Sequence, residues 1–235
     1  MSSSSTTEYP YEEGSYTLYV TKYCPFAQRA LRAFYAAKVP YKLVEIDLDN
    51  KPTWYHLVNP QLKVPALRLP SGEILIESLV ISEYVADQFP EAHLLPTDAL
   101  ERAQLRLFVE IFSSKIVPNL YGALRAASVK EQETKKEGIL AGIRDASRQL
   151  EKQWKRVNNN EGLWLGDRVS LAEINTVSFV NQLAAVEIHR GLVVPQSQEY
   201  AAFNKWVEAY SARPEYTEYS LADEVIAEKL RKFLA

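Results

Sequence analysis

Cys24 is the single cysteine among 235 residues. It follows an aromatic and β-branched run at 16–20 and precedes Pro25 and the apolar series Ala27, Ala30, Leu31 and Phe34. The first pattern reads as a strand and the second as one face of a helix. Proline suits the first helical position, where its missing N–H has no intrahelical partner, so Cys24 falls at the N-cap. There the free N–H groups of Phe26 and Ala27 and the helix dipole favour a thiolate, a far better nucleophile than a thiol. A lone cysteine is commonly just a small buried hydrophobe; the strand–Cys–Pro–helix context points instead to a reactive thiol, with a pKa below the free value of about 8.5. With no second cysteine an intrachain disulfide is impossible, and any mixed disulfide must be resolved by a thiol from outside. In cytosol the abundant small thiol is glutathione.

Three more features offer groups that a small peptide could use. Val64-Pro65 opens an apolar run. At the start of a strand in a thioredoxin-like sheet, a cis bond there would present a backbone edge to a peptide-like ligand, although X–Pro bonds at large are cis in only about 5–6% of cases. Glu77-Ser78 precedes another helical pattern. Glu77 could take an ammonium, and Ser78 with the free N–H groups of the helix start could take a carboxylate; the plainer reading is an ordinary cap. Lys51 is a possible partner for a second carboxylate, or simply a solvated lysine.

The elements that must position these residues follow from periodicity. After the helix that begins at Pro25, Val39-Pro40 stops the chain. Val44, Ile46 and Leu48 alternate with acidic residues as a second strand, parallel to the first through a right-handed crossover. Pro52 opens a short helix to about 58, and 64–69 is a third strand. A four-residue loop at 70–73 returns the chain into a strand at 74–76. Ser78 is expected to cap a helix that ends before Pro90. This order, βαβαββα, is an α/β thioredoxin-like domain over 15–96, behind a flexible tail at 1–14. Beyond it no strand pattern appears, and 97–235 reads as an all-helical domain. A long helix at 98–127 is broken near Pro118, another spans 130–157, and a turn covers 158–162. Ser170 and Glu173 form a capping box that starts a helix, with Val169 and Ile174 as its hydrophobic staple. Helices at about 199–210 and 221–234 follow.

Composition narrows the function classes. The formal net charge is −3, against the basic stripe that nucleic acid requires. No apolar run approaches the ~18 residues of a membrane span, and the N-terminus lacks the basic start and apolar core of a secretory signal. The three histidines, His56, His93 and His189, are scattered and have no thiol partner pair, so no metal site is expected. Phosphate-loop, dinucleotide and serine-hydrolase motifs are missing. A single cysteine and no Asn-x-Ser/Thr site fit a cytoplasmic protein.

Taken in order, Cys24-Pro25-Phe26-Ala27, then Asn50-Lys51-Pro52 with Trp54, Val64-Pro65-Ala66-Leu67 and Glu77-Ser78 resemble the glutathione transferase superfamily, and the cysteine run resembles its Omega class. The resemblance covers the chain from about Tyr16, including the Ser170/Glu173 box. It implies that Cys24 is the catalytic cysteine that forms a mixed disulfide with glutathione. It implies that Phe26, Lys51, Val64, Pro65, Glu77 and Ser78 bind glutathione: Val64 by its backbone beside a cis-Pro65, Glu77 and Ser78 at the γ-glutamyl end, Lys51 near the glycyl carboxylate. It implies a thiol transferase working in deglutathionylation, dehydroascorbate reduction or reductive cleavage of glutathionyl-ketones, a detoxifying enzyme on small electrophilic or disulfide substrates, and a homodimer. A glutathione-conjugating transferase and a non-catalytic carrier of apolar or polyphenolic ligands are the other readings. The second-substrate pocket is expected in the helical domain, with Tyr121 and Leu124 on its wall. The C-terminal stretch departs from the Omega pattern, since Phe233 is its only aromatic over 221–235. Tyr23 reads as a structural residue or a hydroxyl donor to sulfur, and Arg29 as a source of positive potential near the sulfur or a solvated cation.

Overall fold

The computed structural model describes residues 9–158 and 161–235. The first eight residues of the expected tail, and two in the turn expected at 158–162, lie outside the described residues. The chain divides into two compact units, Met1–Ala92 and His93–Ala235.

The first unit is built on strands β1 (Tyr16–Val20), β2 (Tyr41–Glu45), β3 (Ala66–Arg68) and β4 (Ile74–Ile76), in the order β2-β1-β3-β4. β1 and β2 are parallel, while β3 runs antiparallel to both β1 and β4. Helix α1 (Pro25–Ala36) makes the crossover, and α2 (Ser78–Gln88) follows β4. Leu18, Tyr19 and Val20 of β1 are buried with Ala27, Ala30, Leu31 and Phe34 of α1, so the predicted apolar face is the one in the core. The second strand ends earlier than its alternation predicts. The last ladder bond runs from Ile46 N–H to Val20 O (2.7 Å). β1 turns away at Thr21, so the residues that follow Ile46 have no β1 backbone to pair with.

Tyr9–Gly14 does not behave as a free tail. Arg68 Cζ lies 3.8 Å from the Tyr11 ring centre, the Tyr19 hydroxyl donates to Pro10 O at 2.9 Å, and Lys42 Nζ donates to Tyr11 O at 3.2 Å. Aromatic rings and backbone carbonyls, not apolar periodicity, tie this stretch down.

The second unit is helical: α3 (Ala99–Ile111), α4 (Val117–Arg125), α5 (Val129–Val157), α6 (Leu171–Ile174), α7 (Val177–Arg190), α8 (Ala201–Ser211), α9 (Pro214–Thr217) and α10 (Asp223–Leu230). The break expected at Pro118 starts earlier, as a π-helical turn over Phe112–Ile116. Proline removes a helical N–H and its ring crowds the carbonyl four residues back, and a widened turn relieves that crowding. The capping box is present: the Ser170 side chain accepts from the α6 backbone, and Glu173 reaches back to Ser170 N–H. The helix it starts is only one turn long, and α7 begins anew at Val177.

Candidate active site

β1 delivers the chain into a tight turn, closed by Cys24 N–H to Thr21 O at 3.1 Å. Gln28, one turn into α1, donates from Nε2 to Lys22 O at 2.8 Å and holds that turn from the helix side. Cys24 is the N-cap of α1, with extended backbone (φ −83°, ψ 118°), and Pro25 occupies the first turn. The expected context of the sulfur is therefore in place, but its acidity is not. The N–H groups of Ala27 and Phe26 and the Arg29 charge do favour the thiolate, yet burial outweighs them and pushes the Cys24 thiol above its ordinary value. Desolvation penalises the charged form, a cost that the N-cap argument from sequence left out.

The loop before β3 reaches the same place. Tyr55 OH and Asn59 Nδ2 both donate to Lys63 O, each at 2.8 Å. Burial pushes the Tyr55 hydroxyl well up, so it stays a donor. The next bond, Val64–Pro65, is cis. Among the described residues the backbone N–H and C=O of Val64 have no hydrogen-bond partner, although strand pairing begins two residues later. Such an unpaired edge is what an extended peptide can add to.

At the end of β4 the structure corrects the predicted cap. Glu77, not Ser78, is the N-cap of α2, with a left-handed φ of 71°. Its carbonyl accepts the first helical bond, from Ile81 N–H at 3.0 Å. Ser78 is already helical and buried. Its hydroxyl accepts from Arg29 Nη1 at 3.2 Å. A non-glycine residue at positive φ is uncommon, and such positions cluster at functional sites.

Cys24, Phe26, Lys51, Val64, Pro65, Glu77 and Ser78 line one cavity of about 440 Å³, with Leu48, Asn59, Leu62 and Lys63. Cavities of this size hold small-molecule ligands. The wall carries one thiol, two lysines and an acid beside a hydroxyl. The seven residues expected to react with or hold glutathione converge. Leu48, Asn59, Leu62 and Lys63 were missed. Asn59 had a signal, since Asn-Pro marks a turn, and its Oδ1 accepts from Gln61 N–H at 3.0 Å. Arg29 is 3% exposed and so is not a solvated cation. Tyr23 is 43% exposed.

Of the two residues expected on the second-pocket wall, Leu124 is not available to it. Leu124 is fully buried in the core of the helical unit, out of reach of any ligand. Tyr121 packs edge-on against Phe233 at 5.5 Å, with Arg125 4.9 Å from the Phe233 ring. The one aromatic of the C-terminal stretch is spent on that contact.

The family model for the glutathione S-transferase N-terminal domain matches residues 18–93, and that for the glutathione S-transferase C-terminal domain matches 107–214. A rat glutathione S-transferase omega-1 is 30% identical over 180 residues, 77% of this chain and 72% of the relative. The chain belongs to the glutathione transferase family, in its Omega class. A probable glutathione transferase omega-2 of Caenorhabditis elegans is 36% identical over 142 residues, 60% of this chain; the match spans only 56% of that relative. Among solved structures, glutathione transferase Omega 1C from Trametes versicolor is 31% identical with a TM-score of 0.74, over 93% of this chain and 95% of that one. A dehydroascorbate reductase from Chlamydomonas reinhardtii is 26% identical with a TM-score of 0.72, over 94% and 99%. The Omega likeness thus extends through both units, and the thioredoxin-like and helical architecture is that of the glutathione transferase fold.

Proposed function

We propose that this Omega-class chain is a glutathione-dependent thiol transferase that works through a Cys24–glutathione mixed disulfide. The observation that carries the reading is the shared cavity, whose lining holds a thiol at a helix N-cap, an acid–hydroxyl pair and two lysines. Glutathione has two carboxylates, one ammonium and one thiol. Glu77 matches the ammonium, Ser78 and the start of α2 match the neighbouring carboxylate, Lys51 matches the glycyl carboxylate, and the unpaired edge of Val64 beside Pro65 matches the central peptide. Phe26, 37% exposed, flanks the sulfur.

In the first step the Cys24 thiolate attacks the glutathione sulfur of a mixed disulfide. A Cys24–glutathione disulfide forms, and the substrate thiolate leaves and takes up a proton. In the second, the thiolate of a free glutathione attacks the glutathione sulfur bound to Cys24. Oxidised glutathione leaves and the Cys24 thiolate returns. Overall the mixed disulfide is exchanged for oxidised glutathione: one free glutathione thiol is consumed and one substrate thiol is released. Deglutathionylation follows this scheme directly. Dehydroascorbate reduction, supported by the likeness to the algal reductase, and reductive cleavage of glutathionyl-ketones are further substrates. A cytoplasmic homodimer is the form in which we expect the enzyme to work. Conjugation fits less well, because a thiol stands where a hydroxyl would stabilise glutathione's own thiolate.

Glutathione-dependent disulfide reduction by wild type and Cys24→Ser tests the reading. We expect near-complete loss in the variant, and mass spectrometry of wild type treated with oxidised glutathione to show one adduct at Cys24. Activity retained in Cys24→Ser, or none in either protein, would favour the carrier. Conjugation that appears only in Cys24→Ser would mean that residue 24 alone selects the chemistry.

A further inference from the structure

Arg29 is an arginine in the interior of the first unit, 3% exposed, one turn along α1 from the thiol. Its Nη1 donates to Ser78 Oγ at 3.2 Å, a bond between buried groups across two helices. Its Cζ stands 5.5 Å from the Phe26 ring. One guanidinium thus reaches a hydroxyl and an aromatic on the wall of the cavity that holds Cys24.

The chemistry of the two groups fixes how they share a proton. A guanidinium has donors only, whereas a hydroxyl has one donor and two acceptor lone pairs. Ser78 Oγ must therefore accept from Arg29, and its own hydrogen is left to point elsewhere. Ser78 is the first residue of α2, so its hydroxyl sits beside the free N–H groups at a helix start. A hydroxyl that accepts from a cation becomes a stronger donor in turn. We propose that Arg29 is a positioning residue which commits the Ser78 hydroxyl to donate into the cavity, and so gives the site its selectivity for a ligand bearing a carboxylate at the α2 end. This rests on the glutathione reading above, in which that carboxylate is the one on the γ-glutamyl α-carbon. The same guanidinium also opposes the burial that holds the Cys24 thiol up, so carboxylate recognition and thiol acidity depend on one side chain.

The test compares two ligands, glutathione and its analogue lacking the γ-glutamyl α-carboxylate, by calorimetric binding to wild type, Arg29→Met, Ser78→Ala and the double variant. Arg29→Met is expected to weaken glutathione about tenfold and the analogue less than twofold. Ser78→Ala should do the same, and the double variant should lose little beyond either single one, because both act through one hydrogen bond. Arg29→Lys and Arg29→Gln, which keep the charge or a donor, carry the comparison if Arg29→Met does not fold; partial recovery of glutathione affinity over the analogue is expected in each. Equal loss for both ligands, or fully additive losses, would reduce Arg29 to a packing residue and overturn the inference. A wild type that binds neither ligand would overturn the glutathione reading itself, a different outcome from a wild type that binds both alike.

Discussion

Glu173 Oε1 accepts the indole N–H of Trp206 at 2.9 Å, and the same oxygen accepts Trp164 N–H at 2.7 Å. Its other oxygen takes Ser170 N–H at 3.0 Å and the Ser170 hydroxyl at 2.7 Å. All four residues are fully buried. The capping box is therefore more than the start of a one-turn helix. It places four acceptor contacts inside a cluster where Phe108 lies 4.8 Å from Trp164 and 5.5 Å from Trp206. Glu173→Ala leaves three buried N–H donors unmet, each costing about 1–3 kcal/mol, so a loss of about 3–5 kcal/mol is expected. Glu173→Gln, which keeps one acceptor oxygen, should lose less than half as much. Urea midpoints followed by tryptophan fluorescence measure both, and equal effects would contradict the hydrogen-bond account.

The thiol has a definite pH signature. Because burial dominates at Cys24, its alkylation rate by iodoacetamide should climb with pH to a midpoint above the ordinary thiol value of about 8.5. Arg29→Met should move the midpoint further up, since the cation favours the thiolate. At neutral pH the thiolate fraction is then small, but each thiolate is a stronger nucleophile because a higher pKa brings higher intrinsic reactivity. The first exchange step should follow the alkylation curve. A midpoint below the ordinary value would show that the helix start, not burial, sets the acidity.

What periodicity could reveal, it revealed. The apolar face of α1, the hairpin at 70–73 and the strand–Cys–Pro–helix junction are local patterns, and the structure has them. Other features depend on partners distant in sequence. Ser78 looked like a cap because serine is a common one; the cap moved to Glu77 because the backbone reverses there, and the freed hydroxyl met an arginine 49 positions away. The same blindness left a solvated Arg29 open beside the reading that it adds positive potential near the sulfur, since nothing in its neighbours says that it is buried. Leu124 was drawn to a pocket wall by its neighbourhood, yet apolar spacing cannot tell a wall from a core. The acidity of Cys24 failed for a related reason: the helix start is visible in sequence, but the desolvation that opposes it is not.

Two helical glycines separate close packing from simple propensity. A Cβ on Gly142 of α5 would stand 2.7 Å from Ile116 Cγ1 and 3.5 Å from Ile116 N. Ile116 is fully buried and cannot step aside, so Gly142→Ala should cost about 1–3 kcal/mol by overpacking. The three atoms nearest a Cβ on Gly122 of α4 all belong to the stem of Lys135, the closest being Cδ at 2.9 Å. That flexible chain can swing away, and Gly122→Ala should gain about 0.5–1 kcal/mol from helix propensity. Denaturation of the two variants side by side checks the contrast; the same sign for both would refute it.

The amino-terminal stretch gives the last expectation. Tyr9–Gly14 lies on the first unit through the Arg68–Tyr11 ring contact at 3.8 Å and the Tyr19–Pro10 hydrogen bond at 2.9 Å. The cation–ring pair contributes about 0.5–1 kcal/mol at an exposed site and the hydrogen bond about 1 kcal/mol. Removing 1–14 should therefore cost about 1–2 kcal/mol, and Arg68→Met in the full chain about half of that. Burial also holds the Tyr19 hydroxyl well above its ordinary pKa. Without the stretch that covers it, Tyr19 should ionise at lower pH; beyond the loss of the two phenols of Tyr9 and Tyr11, an alkaline spectrophotometric titration of the two proteins would register one phenol shifted downward. An unchanged titration together with unchanged stability would mean that these contacts contribute nothing to holding the sheet.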